Sequence, residues 1–311
     1  MPVQTFRDLI ARNRRNSLLL IVVFVVFFAA IGTLIGVVWG GDWVFGAVVA
    51  AIAAVVALVL TLLSYFGGSS AVLAMSGARR IQHADDPQLF NVVEEMCLAG
   101  GMPLPKIYVI NDTAMNAFAT GRNPKHASVA ITAGLRTRLN RDELQGVMAH
   151  ELSHIRHSDI LYATLMAVMV GVLVMLCDVF LRSMWFGGGR RRRSSRDSKG
   201  GNPAQLILMV VAIVLAIVAP ILARIIHMAL SRQREYLADA GAVELTRNPQ
   251  GLAGALAKLS GDTEVLEVAN RATAPLYIVH PIKKFEARAS SILSTHPPVK
   301  DRIERLMSLT V

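Results

Sequence analysis

Apolar residues run without a charge from Ser17 to Trp39 and again from Trp43 to Tyr65, separated by Gly40-Gly41-Asp42. Each run has about the length a helix needs to cross roughly 30 Å of hydrocarbon, so the pattern predicts a membrane hairpin over residues 1–66. Trp39, Trp43 and Tyr65 stand where aromatic belts lie. The apolar core is too long for a cleavable signal peptide, which implies an uncleaved span. A third apolar run, Ile160 to Leu181, and a fourth, Ala204 to Ala223 with Pro220 as an expected kink, form a second hairpin over 159–224. The stretch 182–203 between them is rich in Gly, Arg and Ser around Arg190 to Arg193, a composition expected of a disordered loop.

The segment 67–158 is patterned differently. Leu89, Val92, Val93, Met96 and Leu98 give Pro87–Gly100 the apolar stripe of an amphipathic helix. Lys106–Ile110 and Ala127–Thr132 read as strands, with a turn through Gly121-Arg-Asn-Pro124 between them and a helix or turn from Gly134 to Leu139 after them. Asn140 and Glu143 then form the two ends of a capping box, Asp142 and Glu143 suit the positive end of a helix, and Leu144, Val147, Met148 and Leu152 recur at helical spacing. These signals predict a helix that starts after Asn140 and carries the stretch Gln145–His157. Residues 225–311 read as a second polar part, mostly helical.

Charge sets the orientation. Arg7, Arg12, Arg14 and Arg15 precede the first span, and Arg79 and Arg80 follow the second, so both flanks and the segment 67–158 are expected in the cytoplasm. The basic 182–203 loop conflicts with this if all four runs cross. Either the first hairpin overrides it or the second does not fully span, and four spans is the favoured reading. The formal charge of +10 does not point to nucleic acid, because the basic run has no interleaved aromatic residues to stack on bases. A hydrophobic content of 53%, a charged content of 17% and a mean hydropathy of +0.47 are values of a membrane protein. Cys97 and Cys177 are far apart, and no disulfide framework is expected.

The helix over 145–157 carries the chemistry. It contains His150-Glu151-Leu152-Ser153-His154, two histidines four apart that share one helical face and can hold a single ion, with Glu151 flanking that face. A catalytic zinc takes three protein ligands and leaves one position for water. Past the fourth run, Glu235 and Asp239 also lie four apart. Glu235 could be the third ligand with Asp239 bonding a histidine's far ring nitrogen, or both could be ion-pairing residues of an ordinary helix alongside Arg232 and Arg234. His157, His83, His126, His227 and His280 have no partner at metal spacing.

Taken in order, the first hairpin, Asn116-Ala117-Phe118-Ala119, His150 to His154, the second pair of apolar runs, Arg234-Glu235 with Ala238-Asp239, and Thr295-His296-Pro297 resemble the HtpX-type membrane zinc metalloproteases, relatives of the CAAX prenyl proteases. The resemblance covers essentially the whole chain. It implies an α+β, mostly helical fold: multi-span membrane helices plus a zincin-like (gluzincin) cytoplasmic domain with a small β-sheet. It also implies one zinc per chain on His150, His154 and Glu235, Asp239 bonding a ligand histidine, and Glu151 as general base. Asn116, Ala117, Phe118 and Ala119 would form an edge strand for peptide substrate, and His296 and Arg302 would support the oxyanion. The implied function is hydrolysis of membrane-protein or unfolded polypeptide substrates in stress-linked quality control, by a multi-pass protein of the cell (inner) membrane. A CAAX-processing protease is the nearest enzymatic rival. A membrane scaffold with a structural zinc and a metal transporter are the rivals from other classes. Ionisable residues cluster outside the apolar runs, Asp178 excepted, so no conduction path is visible.

Overall fold

The structure, a computed structural model, describes residues 6–169, 171–172, 232–262, 264, 266, 276–278 and 297–309. Chain contacts divide it into two compact units: residues 16–64 with 169–226, and residues 1–15, 65–168 and 227–311.

In the first of these units, α1 (Phe6–Gly40) and α2 (Trp43–Met75) pack through small residues. A Cβ on Gly32 would stand 2.8 Å from that of Ala53, and one on Gly36 would stand 2.8 Å from the Gly46 Cα. Such residues let two apolar helices approach backbone to backbone. Gly41, with φ 76°, makes the turn between them, where a left-handed conformation favours glycine. The apolar windows are Arg15–Val37 and Trp43–Met75, and only 17% of either is buried. A core helix of a soluble protein would be mostly covered, so these two helices are long and apolar enough to cross a membrane and expose the surface to do so. The expected pair of runs is therefore present as helices. Most of the second hairpin, including the basic loop 182–203, the run 204–223, Asp178 and Cys177, lies outside the described residues.

The other unit is a mixed sheet covered by helices. Strands β1 (Ala78–Arg80), β2 (Lys106–Ile110), β3 (Ala117–Gly121) and β4 (Ala127–Thr132) lie in the order β1-β2-β4-β3. The β2–β4 pair is parallel and both outer pairs are antiparallel, with Ala117 opposite Ile131 and Gly121 opposite Ala127. Strands β3 and β4 are buried along their whole length, and β3 packs against the helix of the site. No pattern in the sequence marks β1 as a strand. Its two arginines are exposed at the sheet edge, where strand side chains need no apolar alternation.

Helices α3 (Pro87–Gly100), α4 (Ala133–Arg138) and α5 (Arg141–Arg156) follow, then α6, described over Asp159–Met169, α7 (Arg232–Thr246), α8 (Pro249–Gly261) and α9 (Val299–Met307). Helix α5 is the hub, packed by α3, α7 and α8 and buried on nearly every face. Two glycines make this possible. A Cβ on Gly146 would stand 2.6 Å from the Leu252 nitrogen of α8, and one on Gly241 of α7 would collide with Ser153 Oγ. The capping box forms as the sequence predicts: Glu143 N–H donates to Asn140 Oδ1 and Asn140 N–H donates to Glu143 Oε2, both at 2.9 Å.

Asp86 anchors α3. Its carboxylate accepts from Leu89 N–H at 3.0 Å and from the Arg136 fork at 2.7 and 3.0 Å. Burial alone would raise this carboxyl, but the Arg136 hydrogen bonds outweigh it and hold it below the usual aspartate value. A depressed carboxyl contributes stability above its unfolded pKa and loses it as pH falls through the folded one. Asp86→Ala is therefore expected to cost about 1–2 kcal/mol at neutral pH and progressively less in acid. Thermal melts of both proteins at pH 7 and below pH 4 check this.

Candidate metal centre

The fold brings α5 and α7 side by side, and with them three donors that lie 81 positions apart at their widest sequence gap. His150 Nε2 and His154 Nε2 are 3.2 Å apart. Glu235 places Oε2 3.7 Å from the first and Oε1 3.7 Å from the second. All three donor atoms lie within 4.8 Å of one another. Zinc bonds of about 2.0–2.1 Å in tetrahedral geometry separate ligand atoms by about 3.3 Å. Two imidazoles and one carboxylate at these distances therefore fit a divalent cation of the zinc type. The rings stand at 88° to each other, each turning an edge nitrogen to the common point.

Each ring is held from behind by a carboxylate. Asp239 Oδ1 lies 3.0 Å from His150 Nδ1, and Asp159 Oδ2 lies 3.2 Å from His154 Nδ1. Arg302 is 1% exposed and donates Nε and Nη2 to Asp239 at 2.9 and 2.6 Å. Its Nη1 donates to the Ile278 carbonyl at 3.3 Å and stands 3.6 Å from Glu235 Oε2. The buried Arg302 guanidinium thus faces three buried carboxylates, Glu151, Glu235 and Asp239, while Arg234, also buried, stands beside the fourth, Asp159.

The ionisation of the cluster follows from that charge. Burial pulls His150 down, but hydrogen bonds to Asp239 and Glu235 prevail and push it up to about 9. His154 is likewise raised, with Asp159 outweighing burial. Burial pushes the Glu151 carboxyl up, against the pull of His150 and His154. Asp239 is held low despite its burial by Arg302 and His150. A pocket that stabilises positive charge on two imidazoles in this way also favours a cation shared between them, which requires both rings neutral.

Of the residues singled out in the sequence, His150, Glu151, His154, Glu235, Asp239 and Arg302 come together here. His296 lies outside the described residues. Asn116 precedes β3 and is buried. It donates its N–H to Thr132 Oγ1 at 2.9 Å and accepts through Oδ1 from Ala117 N–H at 3.1 Å. Ala117, Phe118 and Ala119 lie in β3, the last strand of the sheet. That edge is partly covered: Ile278 N–H donates to the Ala117 carbonyl at 3.0 Å, and the Tyr277 ring packs edge-on against Phe118 at 5.1 Å. Asp262, after α8, accepts from Met115 N–H at 2.8 Å and so ties the approach to β3 to the helices. Asp159, behind His154, is a residue that the sequence does not single out for the site. The only signal was a carboxylate five residues beyond the second histidine.

The sequence pattern of peptidase family M48 matches residues 83–310. The chain belongs to this family. M48 peptidases are metallopeptidases, in keeping with the donor set just described. Over its full length this M48 chain is 43% identical to a protein named "Protease HtpX homolog" from Caldanaerobacter subterraneus, whose full length is also covered. It is 42% identical to one of the same name from Thermoanaerobacter pseudethanolicus, again over 100% of both chains. The expected resemblance to the HtpX-type proteases is thereby met. The crystal structure of S. mikatae Ste24p is similar at a TM-score of 0.48 and 19% identity, over 89% of this chain and 61% of that one.

Proposed function

We propose that the protein is a zinc-dependent integral-membrane endopeptidase that cleaves membrane proteins or their unfolded segments, with its site on the cytoplasmic side. The convergence of His150 Nε2, His154 Nε2 and Glu235 on one point carries this reading. When bound, zinc would supply a Lewis acid that polarises the scissile carbonyl and lowers the pKa of water.

The protein's own groups do the rest. Glu151 accepts a proton from the attacking water and passes it to the departing amine. Its burial and its raised carboxyl bring it toward the range where both transfers are feasible at neutral pH. Asp239 and Asp159 hold the histidine rings with Nε2 facing the metal point. The Arg302 donors are engaged by Asp239 and the Ile278 carbonyl. We therefore assign Arg302 to holding Asp239, His150 and Glu235 in place rather than to the oxyanion. The edge of β3 beyond Ala117, whose carbonyl is already taken by Ile278 N–H, is the proposed track for an extended peptide, paired through main-chain hydrogen bonds that tolerate any sequence.

The protein purified in detergent is expected to carry one zinc per chain and to cleave an unfolded membrane substrate. A chelator should abolish cleavage, and stoichiometric zinc should restore it. Metal analysis with paired activity assays checks this, and full activity in metal-stripped protein would refute it. A topology reporter fused at the C-terminus that scored as external would refute the cytoplasmic placement.

A further inference from the structure

We propose that Asn13, on the helix that also carries the first apolar span, and Asp159, at the start of α6, are positioning residues that fix the ring of His154. The inference rests on the reading of His154 as a metal ligand.

His154 turns Nε2 toward His150 and Glu235, so Nδ1 is its outward nitrogen. Asp159 Oδ2 stands 3.2 Å from that Nδ1. A carboxylate there accepts the Nδ1 proton and leaves the Nε2 lone pair for a cation, besides fixing the ring's rotation. His150 has the same arrangement with Asp239. The two carboxylates differ in what holds them. Asp239 is gripped by Arg302, whereas Asp159 accepts through Oδ1 from Asn13 Nδ2. The same Asn13 amide donates to the His157 carbonyl at 3.1 Å, which ties Asp159 to the end of α5. Asn13 and Asp159 are 3% and 5% exposed, so water does not compete effectively for either bond. Arg234 adds charge: its Nε lies 4.0 Å from Asp159 Oδ1, and its guanidinium sits over the Tyr162 ring.

The local backbone explains how Asp159 reaches back. Helix α5 ends at His157, and Ser158 takes φ 59°, a left-handed bend rare outside glycine. The bend ends α5 and starts α6 with its first carboxylate beside a side chain five residues earlier. The N-terminal flank of α1 is thereby part of the metal centre. Residues from Tyr65 onward do not by themselves complete the support of His154.

A plain structural role for Asp159 is starting α6, which asparagine or serine would fill equally well. The relay predicts otherwise. Asp159→Asn should release zinc to a competing chelator roughly tenfold faster or more, in line with the usual effect of losing a ligand's hydrogen-bond partner. Asn13→Ala should act in the same direction by a smaller factor. Asn13→Asp, which sets a second carboxylate against that of Asp159 and against the His157 carbonyl, should be the worst of the three. Arg15→Ala, an exposed neighbour on the same helix, should match wild type. Cobalt-substituted protein gives a second readout, since a rotated His154 ring alters the visible absorption of the bound ion.

If the wild type binds no stoichiometric metal, the proposed function fails. If it binds one, and Asn13→Ala and Asp159→Asn release it at the wild-type rate with an unchanged cobalt spectrum, the relay fails. Melting of the metal-stripped proteins separates the remaining possibility. The relay requires the stripped variants to melt within a few degrees of stripped wild type. A large drop there, with wild-type metal release per folded molecule, assigns both residues to the scaffold and overturns the proposal.

Discussion

Glu151→Gln is expected to keep one zinc per chain and to lose at least about 10²-fold, and up to about 10⁴-fold, in kcat. Glutamine preserves the volume of a side chain that is 2% exposed, so the packing of α5 survives. It has no basic carboxylate with which to take a proton from water and return it to the amine. Glu151 also feels the charges of His150, His154, Glu235 and Arg302, which places it within their electrostatic reach without making it a member of the ligand set. The measurement pairs metal content with kcat on one preparation. Lost metal would make Glu151 a ligand, and retained activity would remove it from the mechanism. Glu235→Ala is the contrasting variant, expected to lose the ion itself.

Arg302→Ala is expected to destabilise the protein by about 3–5 kcal/mol, the cost of leaving buried carboxylates without their guanidinium. Asp239 loses two hydrogen bonds of 2.6 and 2.9 Å, Glu235 loses its nearest cation, and the Ile278 carbonyl loses a donor. Arg302→Lys should recover only part of this, because an ammonium cannot span both oxygens of Asp239 as the planar fork does. The double variant Arg302→Ala, Asp239→Asn should cost less than the sum of the single changes, since the two residues share one interaction. Thermal or denaturant unfolding in detergent gives these values. An Arg302→Ala protein that melted with wild type would show that water or rearrangement meets the charge at no cost.

Local signals carried most of what was legible in the sequence. The capping box at Asn140 and Glu143, the apolar stripe of α3 and the spacing of His150 and His154 are settled within one or two helical turns, so a linear reading can see them. Glu235 is different. On its own helix it looks like one member of an ion-pairing surface, and only the packing of α7 on α5 turns it inward. That approach depends on the Gly241–Ser153 contact, which has no local signature. The sequence bounds the second apolar run at Tyr65, short of the end of α2. The helix continues to Met75, and Gly68 serves for close approach to Thr164. Asn13 lies in a basic flank, and nothing near it in the chain marks its role. Its partners are 144 and 146 residues away.

The separation of His154 from Glu235 along the chain has one more implication. Drawing together points 81 residues apart costs a flexible chain roughly 4 kcal/mol in loop-closure entropy. Here that cost is offset by contacts between protein atoms: the glycine-mediated seating of α7 on α5, and the Arg302 fork that pins Asp239 beside His150. An arriving ion therefore spends little of its binding energy on assembling the cage. It would enter as a guest in a finished frame, with an affinity expected to follow the electrostatics of the surrounding carboxylates more than the folding of the chain that carries them.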